Sequence, residues 1–116
     1  MSSETPTVSQ PIRFFKLRNR GSNKVHFLVE DAAGDQKVWS GGPILERKTE
    51  AVVDLSSIPE IQSGTSYRFG AYVLAGRSAT ADHAQMVDSG SNMVGVFTWT
   101  IDHGSKVKFD GYERFG

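Results

Sequence analysis

Three histidines, His26, His83 and His103, are the residues best suited to acid–base or metal chemistry, and two of them follow an aspartate, in Asp82-His83 and Asp102-His103. Zinc sites and catalytic triads use these residue types. No two of the three have the i, i+2 or i, i+4 spacing that sets a pair of ligands on one face of a strand or helix. A turn accounts for His103 and a loop for His83. Serine and threonine are abundant, but none lies in a nucleophile elbow or an S-x-x-K pattern. Asp31 and Asp35 flank a Gly-containing loop. Carboxylates so placed suit calcium, but they fall short of a full ligand set, and a hairpin turn explains both. The acids Asp54, Asp88, Glu46, Glu50 and Glu60 form no pair of the kind a glycosidase directs across a cleft. The chain is therefore expected to be non-enzymatic, with no catalytic residue, no metal site and no cofactor.

Composition narrows the class further. The 116 residues suit one domain with one core. Lys plus Arg equals Asp plus Glu at 13 each, so the net charge is zero and no electrostatic argument favours nucleic acid or an anionic membrane. There is no cysteine, which excludes disulfides, thiolate metal sites and a cysteine nucleophile. No apolar run approaches the roughly 20 residues of a membrane-spanning helix. Residues 1–10 lack the basic start and apolar stretch of a signal peptide and read as a flexible tail. The expected location is cytoplasmic, or outside the cell after release without a signal peptide.

The elements that must position any site are strands. Alternation of apolar and polar residues, punctuated by turns, recurs along the chain, and no segment has a helical period. Strands are expected at 12–18, 24–30, 36–40, 48–55, 65–74, 85–87, 93–101 and 106–109. In the first, Phe15 and Leu17 share one face while Ile12 and Phe14 share the other. Gly41-Gly42-Pro43 is expected to break the third, with Ile44-Leu45 a short edge piece. In the fifth, Tyr67, Phe69, Ala71 and Val73 face inward, against Arg68, Gly70, Tyr72 and Leu74. In the seventh, Gly95, Phe97, Trp99 and Ile101 face inward. The segment 56–64 has room for one helical turn, and 75–92 reads as a long, Gly/Ser/Ala/Asp-rich loop. The pattern predicts an all-β, antiparallel β-sandwich of about seven to nine strands, immunoglobulin-like or jelly-roll-like, occupying residues 11–116 as a single domain.

Most aromatic side chains fall on inward faces. Trp39, beside Ser40-Gly41-Gly42, and Tyr72, opposite the inward face of its strand, are the candidates for exposed stacking on a sugar ring or lipid headgroup. Loops at one end of the sandwich, 31–35, 40–43 and 75–92, are expected to carry the binding surface. The candidate ligand-binding residues are Trp39, Tyr72, Asp31, Asp35, Arg77 and His83.

Three segments resemble a group of small bacterial β-sandwich proteins similar to the C-terminal membrane-recognition domain of cholesterol-dependent cytolysins. They are Asn19-Arg-Gly-Ser-Asn-Lys-Val-His-Phe27, Lys37-Val-Trp-Ser-Gly-Gly-Pro-Ile44 followed by Thr49-Glu-Ala-Val-Val-Asp-Leu55, and Ser63-Gly-Thr-Ser-Tyr-Arg-Phe-Gly-Ala-Tyr-Val-Leu-Ala-Gly76. The resemblance implies a similar sandwich and a surface-recognition role. The Trp-rich membrane-binding loop and pore-forming domain of the cytolysins have no counterpart in the sequence, so no lipid-binding residue carries over.

The expected function is a non-catalytic recognition module for a glycan, a lipid headgroup or a protein ligand, with no nucleic-acid partner and no transmembrane segment. One alternative is an assembly protein forming homo-oligomers through exposed sheet faces or edges, including the Tyr72/Leu74 face. Another is a small metal-dependent hydrolase using His83 and His103.

Overall fold

A computed structural model describes residues 10–73, 77–101 and 104–116. The expectations for residues 1–9, for Leu74 and the first two residues of the 75–92 loop, and for the Asp102-His103 turn lie outside these. Nine strands occur among the described residues: β1 (Phe14–Asn19), β2 (Val25–Asp31), β3 (Lys37–Leu45), β4 (Glu50–Asp54), β5 (Ser66–Val73), β6 (Ser78–Thr80), β7 (Gln85–Met86), β8 (Met93–Ile101) and β9 (Ser105–Arg114). The helical turn expected in 56–64 is a short 3₁₀ element, Leu55–Ser57, capped by the Asp54 side chain.

The strands form two packed sheets, ordered β4-β1-β8-β9 and β3-β2-β5-β6, with β7 on the lower part of β5. Period-two alternation sends one row of each strand into the gap between them. Phe15 is the hub. It meets Phe27, Phe69 and Phe97 edge-on at centroid distances of 4.9, 5.1 and 5.2 Å, an arrangement favoured by the ring quadrupoles. Tyr67, Phe69, Ala71 and Val73 are all buried, as their alternation predicts. Leu55, Ile58 and Ile61 close one end of the core, where the Tyr67 hydroxyl accepts the Gln62 N–H at 2.8 Å.

Asn19 is fully buried at the other end. Its amide donates to the carbonyls of Asn23 and Leu45, and its oxygen accepts the Gly21 N–H. One polar side chain thus joins the β1–β2 turn to the end of β3.

The structure departs from the sequence reading in several places. The pairing of β1 with β8 is parallel, whereas the other strand pairs are antiparallel. Ile12 belongs to the main core with Phe15, because a bend at Arg13 interrupts the alternation, and Phe14 goes to a separate outer cluster with Val94 and Val96. Gly41-Gly42-Pro43 does not break β3. The strand lies on a sheet edge, where the missing proline N–H costs no ladder bond, and a register shift opposite Val25 and Phe27 absorbs the extra residues. Gly42 takes φ +73°, and a Cβ there would crowd Phe27 and Val53 at 3.0 and 3.1 Å. Ile101, expected inward, is 37% exposed. β9 runs on past Phe109 through a bulge at Asp110, where Gly111 supplies φ +117°. The 75–92 segment contains β6 in addition to β7.

Candidate functional site

The strand registers decide which candidate residues meet. Asp31 pairs with Tyr67 at one end of the β2/β5 ladder, and Val25 pairs with Val73 at the other. The Arg77 carbonyl accepts the Val73 N–H, so Arg77 sits at the opposite end of the sandwich from Asp31 and Asp35. The segment 40–43 is edge strand rather than end loop. The described part of 75–92 runs from the end that holds Arg77 back to the end that holds Asp31, where Gln85 pairs with Tyr67, so the 31–35 turn shares an end with the later part of that segment but not with Arg77 or with 40–43.

Asp31 is engaged in the turn. Its Oδ1 accepts the Asp35 N–H at 2.8 Å and its carbonyl accepts the Gly34 N–H at 2.9 Å. Asp35 is exposed beside it. Trp39 pairs with Val29, an inward position, and its half-buried ring packs on the core and against Gly41. Tyr72 pairs with His26 on the outward face of the same sheet. Trp39 and Tyr72 thus lie on opposite faces. His83 lies after β6, against a cleft on the side of the sandwich.

Tyr72 opens onto a trough of about 200 Å³ on the outward face of the second sheet. Its floor is Leu28, outward-facing yet 3% exposed. The cross-strand partner of Leu28 is Gly70, which contributes no side chain to cover it. A Cβ at Gly70 would overlap the Ala79 carbonyl, so the glycine also lets β6 approach β5. At one end, Tyr72 stacks on His26 with centroids 5.0 Å apart and planes 15° apart. Ser40 and Ser78 border the sides, and Glu30 and Lys37, cross-strand partners, border the other end. Thr80 Oγ1 lies 3.5 Å from Glu30 Oε1, a long contact that leaves the carboxylate with acceptor capacity. His26 Nδ1 is buried and has no hydrogen-bond partner among the described residues. Arg68, the other cross-strand neighbour of Glu30, is turned to the hairpin, its Nε donating to the Ala32 carbonyl.

Sequence reasoning singled out Tyr72 for stacking and His26 only as one of three histidines suited to acid–base or metal chemistry, and it passed over Leu28, Glu30 and Gly70. Alternation does put His26, Leu28 and Glu30 on one face of β2, and Gly70 and Tyr72 on one face of β5. The missing information is that β2 and β5 are neighbours.

The outer face of the first sheet is different in character. Lys16 lies 3.2 Å from Glu50 and 3.1 Å from Glu113, and Arg18 lies 3.4 Å from Glu50 and 3.3 Å from Glu113. The hydrogen bond to Glu113 holds the Lys16 pKa above the usual lysine value. These charges satisfy one another across the sheet. Among the described residues, no group of three or more His, Asp or Glu is arranged to hold a metal ion. No helix among them is long and apolar enough to cross a membrane. Compared with known proteins, the chain matches no family model, no curated protein and no solved structure.

Proposed function

We propose that the protein is a non-catalytic recognition module that binds a glycan in the trough on the outward face of the β3-β2-β5-β6 sheet. The observation that carries this reading is the Tyr72–His26 stack beside an apolar floor ringed by Ser40, Ser78 and Glu30. A sugar ring has one apolar face and a rim of hydroxyls. The trough offers the complement: aromatic and aliphatic surface below, hydroxyl and carboxylate groups around it. Its volume of about 200 Å³ suits one ring rather than a long ligand. The neutral net charge fits a ligand held by stacking and hydrogen bonds.

The strand edges favour recognition over edge-to-edge assembly. β4 and β6 are short, β3 carries Gly41-Gly42-Pro43, and β9 carries Lys106, Lys108 and the Asp110 bulge. Each is a device that discourages strand addition.

The test is ¹⁵N NMR titration with a panel of neutral mono- and oligosaccharides. Binding should shift amides of His26, Leu28, Glu30, Ser40 and Tyr72, and Tyr72→Ala should weaken it by about tenfold or more, the worth of one stacked ring. A panel that moves none of these amides, or a Tyr72→Ala variant that binds as well as the parent, would refute the assignment.

A further inference from the structure

We infer that the cleft between the β6–β7 segment and β9 is a second binding site, for a small amphiphile with an alkyl body and an anionic head, such as a medium-chain carboxylate. The cleft has a volume of about 800 Å³, within the roughly 300–1,000 Å³ range of small-molecule sites. It lies where the two sheets part. β6 ends after three residues, and the chain then crosses to β7 without pairing with β9. On the β6–β7 side the wall is built from Ala79, Ala81 and Ala84, whose short side chains leave the space unfilled. On the other side stand Val107, Phe109 and Tyr112, with Phe109 and Tyr112 in an edge-to-face pair at 5.1 Å. Phe109 also packs on Phe97 at 5.2 Å, so the cleft floor is continuous with the main core.

The far wall is held in place. The Tyr112 hydroxyl donates to Gln85 Oε1 at 2.8 Å, tying β9 to β7. Gln85 is 5% exposed. The apolar space is thus bounded by a fixed polar strut.

Charge selects the head group. Lys106 and Lys108 border the cleft, and Asp82 is the one acid among its described lining residues. The two lysines are exposed and make no ion pair within 4 Å among the described residues. They alternate along the edge strand with Val107 and Phe109, which form the cleft wall, so their ammonium groups stand at its rim, where they complement a carboxylate on an alkyl chain. An added peptide strand fits less well, because the same lysines and the Asp110 bulge blunt the β9 edge.

Calorimetric titration of the intact protein with hexanoate, octanoate and decanoate, all below their micelle concentrations, tests the site. Affinity should rise about fourfold per added methylene. Decyltrimethylammonium, with the opposite charge on the same chain, should bind at least about tenfold more weakly than decanoate. Ala84→Phe fills the cleft from a half-buried position and should abolish decanoate binding, with unchanged circular dichroism confirming that it folds. Lys106→Glu with Lys108→Glu should weaken decanoate by about tenfold and leave decyltrimethylammonium no worse. Tyr72→Ala should leave decanoate binding unchanged, which separates this site from the sugar trough. The absence of saturable decanoate binding would overturn the proposal. So would equal affinity for the two head groups, or full binding by a folded Ala84→Phe protein.

Discussion

His26 and Tyr72 stack across the β2/β5 pair at 5.0 Å, and His26 holds a buried Nδ1 to which no described residue offers a partner. A buried polar atom left unpaired costs about 1–3 kcal/mol. Replacing it by an apolar group of the same shape removes that cost and keeps the stack. His26→Phe is therefore expected to raise the melting temperature by a few degrees, about 1 kcal/mol for a domain of this size. If the trough binds sugar through His26, the same variant should lose affinity. A stabilised protein with weakened binding is the signature of a group kept for recognition. Thermal melts paired with the sugar titration check both halves. A lower melting temperature would show that the imidazole contributes to the fold as it stands.

Much of the scaffold was readable because alternation is a local property. Tyr67, Phe69, Ala71 and Val73 declare their inward face without any knowledge of the partner strand, and all four are buried. The trough was only half readable. His26, Leu28 and Tyr72 can each be assigned an outward face, but their meeting depends on the β2/β5 register, which joins residues more than forty positions apart. Gly41-Gly42-Pro43 misled for a related reason. Those residues end a central strand but are tolerated on an edge, and edge position is set by strand order. The parallel β1/β8 pair is equally non-local. Arg77 and the 31–35 turn part to opposite ends because loop positions follow strand direction and order, which the residue pattern does not encode.

Asn19 carries more of the fold than its place in a turn sequence suggests. It is wholly buried and serves Asn23, Leu45 and Gly21 at once, with bonds of 2.6, 2.9 and 2.9 Å. Asn19→Ala strands two carbonyls and one N–H in a closed environment. The expected loss is about 3 kcal/mol, read from urea denaturation midpoints at constant m-value. Asn19→Asp should also destabilise, because the carboxylate accepts the Gly21 N–H but cannot donate to the two carbonyls. A loss under about 0.5 kcal/mol in either variant would contradict this role.

Arg13 and Asp54 form a two-pronged ion pair, Nε to Oδ1 at 3.1 Å and Nη2 to Oδ2 at 2.9 Å. The guanidinium, helped by the Ser56 hydroxyl and N–H, lowers the Asp54 pKa from 3.8 to about 2. In the unfolded chain an aspartate titrates near 3.9. A depressed folded value means that the stabilising contribution is complete above about pH 4 and fades as the pH falls toward 2. Asp54→Asn should therefore melt below the parent at pH 6, with the gap narrowing between pH 4 and 2. The pair is partly solvent-exposed, so the gap at pH 6 should be modest and should shrink in high salt. A gap that stays constant from pH 6 to pH 2 would remove Asp54 as its source.

Tyr112 spans the open side of the sandwich with one hydroxyl. That oxygen accepts the Gln10 N–H at 3.1 Å and donates to Gln85 Oε1 at 2.8 Å. Tyr112→Phe keeps the ring and its packing against Phe109 but leaves the Gln85 oxygen in a buried site without this donor. The expected loss is about 1–2 kcal/mol, the cost of stranding one buried acceptor. The loss should also be local. Backbone amides of Gln85 and Val87 should exchange faster with solvent, while those of Phe15 and Phe97 at the core hub stay protected. Hydrogen exchange followed by NMR separates this outcome from a general weakening. Uniform acceleration across both sheets would mean that the hydroxyl supports the whole sandwich rather than the β7–β9 strut.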